Sequence, residues 1–219
     1  MTDVSRLGGG YAESAPDAEP TARAVLAAAT PGSSDARLVV VAGPPGVGKS
    51  AVASAIAGLL PNCCVVDKDW AAAGFILEAA RSQGGEESSA YGTPYYWQRL
   101  RPHEYGGATA TACANLVGTR TVFLVGGWGP ELSRSWLWEE LRERLDPSQL
   151  IVLHLDAPPG ELWRQRLAAR GSRADQPWFD AFARAVTAHS VWPGALRLVT
   201  ESPLHIVVQA AMAALDHPR

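Results

Sequence analysis

Apolar residues occur in short continuous runs that alternate along the chain with longer amphipathic segments. Five runs predict strands, at residues 38–42, 64–66, 121–125, 150–155 and 196–200. A continuous, β-branched run such as 38–42 is typical of a strand that is buried on both faces. Buried strands separated by helices indicate an α/β fold, with a parallel sheet covered by helices on both faces.

The segments between the runs mostly have helical patterns. We predict helices over residues 21–29, 50–60, 95–116, 131–145, 158–170 and 203–215. Gly106 and Gly107 mark a weak point in the third of these helices. Residues 82–94 are polar and predict a loop, and residues 1–19 predict a mobile tail. Residues 20–219 then form a single domain.

Composition excludes several classes of protein. With 219 residues, 47% of them apolar and 19% charged, the chain is globular rather than disordered. A net charge of −3 gives no general attraction to nucleic acids or anionic membranes. Three cysteines without a CxxC pair predict neither disulfides nor a metal site, and we find neither a signal peptide nor a membrane span. We expect a cytoplasmic protein, monomer or homodimer, with no membrane or long nucleic acid as partner.

The turn after the first predicted strand is the most specific motif. Residues 43–50 match G-x-x-x-x-G-K-[ST], between a predicted strand and a predicted helix. In such a loop, backbone N–H groups surround the phosphates of a nucleotide, the lysine reaches the β- and γ-phosphates, and the hydroxyl binds Mg²⁺. The candidate nucleotide-binding residues are Gly43, Pro45, Gly46, Val47, Gly48, Lys49 and Ser50.

Two carboxylates end the second predicted strand. Asp67 and Asp69 point the same way if the strand pattern continues through them. One of them could hold Mg²⁺ and the other could accept a proton from a substrate hydroxyl. Lys68 lies between them and would balance their charge or contact a phosphate. It and Lys49 are the two lysines of the chain, and both lie in these loops.

Two further segments suit phosphate chemistry. Gly126 and Gly127 allow a ligand to approach the backbone after the third strand, and Trp128 offers an apolar wall. Arginines follow the fourth strand, where a mobile lid over about residues 158–180 could close on the nucleotide. These arginines are Arg164, Arg166, Arg170 and Arg173.

In their order along the chain, these motifs resemble the small P-loop kinases, including shikimate kinase, gluconate kinase and chloramphenicol phosphotransferase. The resemblance covers about residues 38–215, and residues 67–145 more narrowly resemble bacterial proteins known only as AAA family ATPases. It implies a five-stranded parallel sheet in the order 2-3-1-4-5, with ATP and Mg²⁺ as cofactors. An acceptor cap would occupy about residues 70–118.

The resemblance also implies roles for individual residues. Asp67 would help to hold Mg²⁺, and Asp69 would bind the acceptor hydroxyl. Gly126 and Gly127 would face the substrate, and Arg166 or Arg170 would contact phosphate. The adenine would lie near Thr200 and Pro203.

The chain departs from this pattern after its third strand, where no aspartate follows Val125. Metal binding then depends on Ser50 and Asp67, and we interpret Asp156, after the fourth strand, as structural. The predicted cap contains aromatic and basic residues that suit a polar acceptor, either ring-shaped or anionic. Its candidate substrate residues are Tyr96, Arg99 and Arg101.

These observations lead to one hypothesis and two alternatives. The hypothesis is an ATP- and Mg²⁺-dependent kinase acting on a hydroxyl of a small molecule, with Asp69, Lys49, Arg166 and Arg170 as catalytic residues. The first alternative is a kinase of nucleotide-sugars or polynucleotide ends, like zeta toxins and polynucleotide kinases. The second is an ATP-hydrolysing switch that controls a protein partner. The acceptor could be an antibiotic, sugar, cyclitol or nucleoside, and GTP could replace ATP.

Overall fold

The computed structural model describes residues 17–86, 90–172 and 174–216. Arg173 and residues 1–16 of the predicted tail lie outside this described part. The fold contains a five-stranded parallel sheet in the order β2-β3-β1-β4-β5, which confirms the predicted α/β fold and strand order. The strands are β1 (Arg37–Ala42), β2 (Cys63–Asp67), β3 (Thr121–Val125), β4 (Gln149–Leu155) and β5 (Leu196–Leu198).

Helices cover both faces of the sheet. Leu38 and Val40 pack with α1, α4 and α5 on one face, whereas Val39 and Val41 pack with α2 and α8 on the other. This alternation follows from the period of two along a strand. The helices are α1 (Glu19–Ala28), α2 (Lys49–Ala57), α3 (Lys68–Ser82), α4 (Arg101–Ala114), α5 (Ser135–Leu145), α6 (Gly160–Ala169), α7 (Gln176–Thr187) and α8 (Leu204–Asp216).

The segment between β2 and β3 differs from its prediction in two ways. Helix α3 begins directly after Asp67, where we assigned no helix. The predicted helix 95–116 forms, but as a π-helix (Tyr96–Leu100) that continues into α4. The glycine pair does not interrupt α4. A Cβ on Gly106 would lie 3.3 Å from the Ala24 carbonyl oxygen, so this glycine allows α1 to pack closely against α4.

The predicted helix 158–170 forms as α6, and a second helix that we did not predict, α7, follows on the other side of Arg173. Helix α6 carries Arg166 in its last turn, and Arg170 lies at its end. No helix in the described part of the chain has the length and apolar character needed to cross a bilayer.

Candidate functional site

The loop between β1 and α2 adopts a backbone that few residues other than glycine tolerate. Gly43, Gly46 and Gly48 have φ angles of +139°, +83° and +100°. A Cβ on Gly43 would lie 2.4 Å from the Leu155 carbonyl oxygen, so the loop also lies tightly against the end of β4. Helix α2 then begins at Lys49 without a side chain capping its N-terminus. Its free N–H groups and helix dipole make this loop suitable for an anion such as a phosphate.

Lys49 lies within this loop, where its Nζ donates a hydrogen bond of 2.8 Å to the Pro44 carbonyl oxygen. Burial lowers the pKa of Lys49 to about 8, an effect that the nearby Asp69 and Asp67 partly oppose and Arg170 reinforces. At neutral pH the side chain is therefore still mostly an ammonium group. It provides positive charge where phosphates would lie on the loop.

Ser50 and Asp67 meet beside the loop. The Ser50 hydroxyl donates a hydrogen bond of 2.7 Å to Asp67 Oδ2, while Asp67 Oδ1 accepts from the Asp69 backbone N–H at 3.1 Å. Burial raises the pKa of Asp67, although these hydrogen bonds favour its ionised form.

A hydroxyl beside a carboxylate fits Mg²⁺, which prefers a few protein oxygens together with phosphate oxygens and water. The described residues contain no group of three or more histidine, cysteine or acidic side chains that could hold a metal by themselves. The pair formed by Ser50 and Asp67 could therefore supply only part of the ligand set of a metal ion.

Asp69 reaches the site from a helix rather than from a strand, so the expected continuation of the strand pattern is wrong. Asp67 ends β2 and caps α3, which places Asp69 in the first helical turn. The two carboxylates are nevertheless close. Burial raises the pKa of Asp69, but the Lys68, Lys49 and Arg170 charges lower it more, so the net pKa is below its usual value. Asp69 is thus a carboxylate at neutral pH.

Lys68 is buried beside Asp69. Its Nζ lies 2.6 Å from Asp69 Oδ1 and 2.9 Å from Glu104 Oε1, and its ammonium faces the rings of Tyr91 and Tyr105. Burial alone would lower the pKa of Lys68, but Asp69 and Glu104 raise it well above its usual value. Of the two expected roles, the structure supports charge balance.

Glu104 is a site residue that our sequence reasoning did not identify. It lies in α4, only 4% exposed, and accepts a hydrogen bond of 2.7 Å from the Tyr96 hydroxyl at Oε2. No specific signal for it is present in the sequence, because Lys68 already has aspartates on both sides and Glu104 lies 36 residues further along the chain.

Most of these residues line a cleft of about 400 Å³ at the carboxyl ends of β1 and β3, but Asp67 and Glu104 are not among its lining residues. The cleft brings together most of the predicted site. Its predicted residues are Pro45, Gly46, Gly48, Lys49, Ser50, Asp69, Tyr96, Gly126, Gly127, Arg166 and Arg170, and it also contains Ala51, Lys68, Tyr91, Val125 and Ala169.

Helix α6 is attached directly to the glycine loop. The Trp163 Nε1–H group donates a hydrogen bond of 2.7 Å to the Pro45 carbonyl oxygen. A Cβ on Gly46 would lie 2.9 Å from Leu167 Cδ2, so the glycine allows this contact. The arrangement holds Arg166 and Arg170 over the loop.

Several predicted residues lie elsewhere. Arg99 is exposed and does not line the cleft. Arg101 is fully buried, with Nη2 2.6 Å from Glu131 Oε2, and its guanidinium lies over the rings of Trp97 and Tyr105. Trp128 does not form a wall of the cleft, because it is 1% exposed and packs between Tyr105 and Trp138.

The remaining nucleotide-binding candidates are not among the described residues that line the cleft. The Thr200 carbonyl oxygen accepts a hydrogen bond of 2.7 Å from Arg166 Nη2, which joins α6 to the loop before α8. Pro203 is exposed in that loop. Val47 faces the core and Gly43 lines a neighbouring cavity. Arg173 lies outside the described residues.

Asp156 has local partners that agree with a structural role. It accepts a hydrogen bond of 2.9 Å from Arg197 Nη2, and Asp156 Oδ1 lies 2.8 Å from His154 Nδ1. These contacts join β4 to β5. Asp156 is not among the residues that line the cleft.

Among the comparisons with known proteins, the one with solved structures identifies the fold. No family model matches the chain, and no curated protein matches its sequence. Its structure is similar to that of a gluconokinase from Sinorhizobium meliloti 1021, with 20% identity, a TM-score of 0.54 and coverage of 86% of this chain and 93% of that one. The predicted resemblance to the fold of the small P-loop kinases is therefore confirmed.

Two more solved structures are similar at lower scores. A shikimate kinase from Bacteroides thetaiotaomicron has 14% identity and a TM-score of 0.49, with coverage of 83% of this chain and 99% of that one. A tunicamycin resistance protein from Deinococcus radiodurans has 16% identity and a TM-score of 0.47, with coverage of 82% and 95%.

Proposed function

Starting from the small P-loop kinase fold that this chain has, we propose that it transfers the γ-phosphoryl group of ATP to a hydroxyl of a small polar acceptor. The observation that carries the proposal is the position of the Asp69 carboxylate. It lies in the same cleft as Lys49 and the glycine loop and is close enough for their charges to affect one another. A nucleotide switch needs no such carboxylate facing its terminal phosphate.

Each side chain has a defined part in this reaction. The loop 43–50 and Lys49 bind the triphosphate, and Arg170 provides positive charge near the phosphoryl group that is transferred. Asp69 accepts the proton of the acceptor hydroxyl while that oxygen forms its bond to the γ-phosphorus. The bond from this phosphorus to the bridging oxygen breaks, and ADP leaves. Positioning and electrostatics supply most of the rate enhancement in such transfers.

Ser50 and Asp67 are the residues that would hold Mg²⁺. When bound, the ion neutralises charge on the β- and γ-phosphate oxygens. The loop around Thr200 and Pro203 forms the proposed adenine end, and the hydrogen bond from Arg166 to the Thr200 carbonyl oxygen joins it to the phosphate-binding residues.

The proposal is tested by measuring ADP release with ATP, Mg²⁺ and a panel of hydroxylated metabolites. We expect at least one compound to stimulate ADP release and to become phosphorylated, and we expect neither event in the Lys49→Ala variant. ADP release that responds to a protein partner but to no small molecule would favour the switch instead. Tight, strongly salt-dependent binding of an oligonucleotide would favour the polynucleotide kinase.

A further inference from the structure

The cleft has two ends with different electrostatic character. The phosphate end consists of residues 45–51 with Arg166 and Arg170. The acceptor end consists of Lys68, Asp69, Tyr91, Tyr96 and the Gly126–Gly127 backbone. Contacts join the acceptor end into one unit, since the Lys68 ammonium lies 5.7 Å from the Tyr91 ring and the Tyr91 and Tyr96 rings lie 5.0 Å apart.

The cation of the acceptor end is already paired. Lys68 Nζ contacts both Asp69 Oδ1 and Glu104 Oε1, at 2.6 and 2.9 Å. The Lys68 side chain is 7% exposed and that of Glu104 is 1% exposed, so water screens this pair little, whereas the Asp69 side chain is 42% exposed. Together with Glu104, which contacts Lys68 but does not line the cleft, the acceptor end has two carboxylates and one ammonium group, and so an excess of negative charge.

The arginines of the predicted cap do not change this balance. Arg101 forms a closed pair with Glu131, both fully buried, and Arg99 lies on the surface away from the cleft. The other cations of the described cleft, Lys49, Arg166 and Arg170, lie at the phosphate end. A triphosphate with its four negative charges occupies those groups. A carboxylate or phosphate on the acceptor would therefore be desolvated beside two like charges without a cation of its own.

Tyr91 adds an observation that is independent of charge. It is 8% exposed, lines the acceptor end, and its buried hydroxyl has no hydrogen-bond partner among the residues that the structure describes. A buried hydroxyl without a partner costs free energy unless a ligand supplies one. The Tyr96 hydroxyl, by contrast, donates to Glu104. The acceptor end thus offers one free hydroxyl, one carboxylate and two aromatic rings.

We infer that the acceptor is a hydroxylated ring compound that carries no carboxylate or phosphate group. One of its hydroxyls donates a hydrogen bond to the Asp69 carboxylate, and a second polar group forms a hydrogen bond with the Tyr91 hydroxyl. Its ring packs against Tyr91 and Tyr96. This inference rests on the proposed kinase function. It separates this chain from enzymes whose acceptor is a sugar acid or a cyclitol acid.

The test compares matched pairs of compounds that differ in one acidic group. The pairs are glucitol and gluconate, methyl shikimate and shikimate, and uridine and uridine 5′-monophosphate, each with γ-labelled ATP. We expect labelled organic product with non-acidic members, at a kcat/KM at least about tenfold above that of the acidic partner. An equal or higher kcat/KM for the acidic members overturns the inference while the kinase function stands.

Transfer to no member of the panel also overturns the inference as stated. The kinase function is judged separately, by Lys49-dependent transfer of label from γ-labelled ATP to any member of the wider panel of hydroxylated metabolites, acidic or not. The two failures are therefore distinguishable.

Two variants test the reasoning inside the site. Glu104→Gln removes one carboxylate and should shift the ratio of kcat/KM values toward the acidic member of each pair by about tenfold. Glu139→Gln, on the exposed face of α5, is its matched control. Tyr91→Phe should raise KM for the acceptor with KM for ATP unchanged, whereas the exposed Tyr95→Phe should change neither. A Glu104→Gln ratio that stays at the wild-type value in a folded protein contradicts the charge argument.

Discussion

The Ser50 hydroxyl and the Asp67 carboxylate form a 2.7 Å hydrogen bond that joins the first turn of α2 to the end of β2. Through this contact, the residue that follows Lys49 in the phosphate-binding loop is directly linked to the strand that ends in Asp67. The same carboxylate caps the N-terminus of α3, which places Asp69 in the first turn of that helix. One short bond thereby relates the proposed metal, phosphate and acceptor positions.

Asp67→Asn should increase the Mg²⁺ concentration required for half-maximal activity by about tenfold, because the variant loses a charged oxygen beside the ion. Asparagine caps helices as well as aspartate does, so α3 should stay intact. The measurement is a titration of activity with MgCl₂ at saturating ATP. A variant with the wild-type Mg²⁺ requirement would exclude Asp67 as a ligand.

Lys49→Ala should abolish turnover and weaken ATP binding, since no other lysine of the loop can reach the β- and γ-phosphates. We expect kcat to fall at least about a hundredfold. Calorimetric titration with ATP and an assay of ADP release measure the two effects. The unfolding temperature serves as the control for folding, and ATP affinity at the wild-type level would contradict the proposed phosphate site.

Asp69→Asn should lose turnover while ATP binding stays near normal, because only the proton acceptor is removed. A loss of about a hundredfold to ten-thousandfold in kcat is typical of a general base. Asp35→Asn, in an exposed turn before β1, is the matched control. Activity that persists in Asp69→Asn would remove this residue from the base role.

The buried pair of Arg101 and Glu131 should stabilise the fold and should not contact the substrate. Arg101→Met leaves the Glu131 carboxylate buried without its cation, at a cost of about 3 kcal/mol in the free energy of unfolding. The double variant Arg101→Met/Glu131→Leu should recover much of that loss. Urea denaturation measures both variants. A raised acceptor KM with unchanged stability would instead return Arg101 to the substrate site.

His154 should make the fold less stable in mild acid. Burial lowers its pKa, an effect that Asp156 partly opposes and that Arg197 and Lys49 reinforce. Because the folded pKa lies below that of the unfolded chain, the unfolded state binds more protons as the pH falls below about 6.5. The free energy of unfolding should fall between pH 7.5 and 5.5, and less so in His154→Gln. Equal pH dependence of the two proteins in urea denaturation would contradict this assignment.

The positions of the strands could be predicted from local pattern. All five apolar runs form strands within a few residues of their predicted bounds, because continuous β-branched runs have few alternatives in a parallel sheet. The order of the strands came from the resemblance, since apolar runs contain no information on which strand pairs with which. The glycine loop could be predicted from its motif. The structure shows the physical reason, because the positive φ angles at Gly46 and Gly48 favour glycine.

Side-chain partners that are distant in sequence could not be predicted. Arg101 was assigned to the substrate because a cap with aromatic residues and two arginines suits a polar acceptor, either ring-shaped or anionic, whereas its partner Glu131 is 30 residues further along the chain. Trp128 was assigned to the cleft because of its neighbouring glycines. Its own φ of +57° turns the chain so that the indole packs in the core.

The attachment of α6 to the glycine loop has a thermodynamic consequence. Trp163 and Leu167 fix the helix against the backbone at Pro45 and Gly46, so the chain segments that carry Arg166 and Arg170 are ordered before any nucleotide arrives. The conformational entropy of these segments is lost during folding and does not weaken the capture of the triphosphate. Each contact of the Arg166 and Arg170 guanidinium groups with the triphosphate therefore contributes to nucleotide affinity without a further cost for ordering these segments.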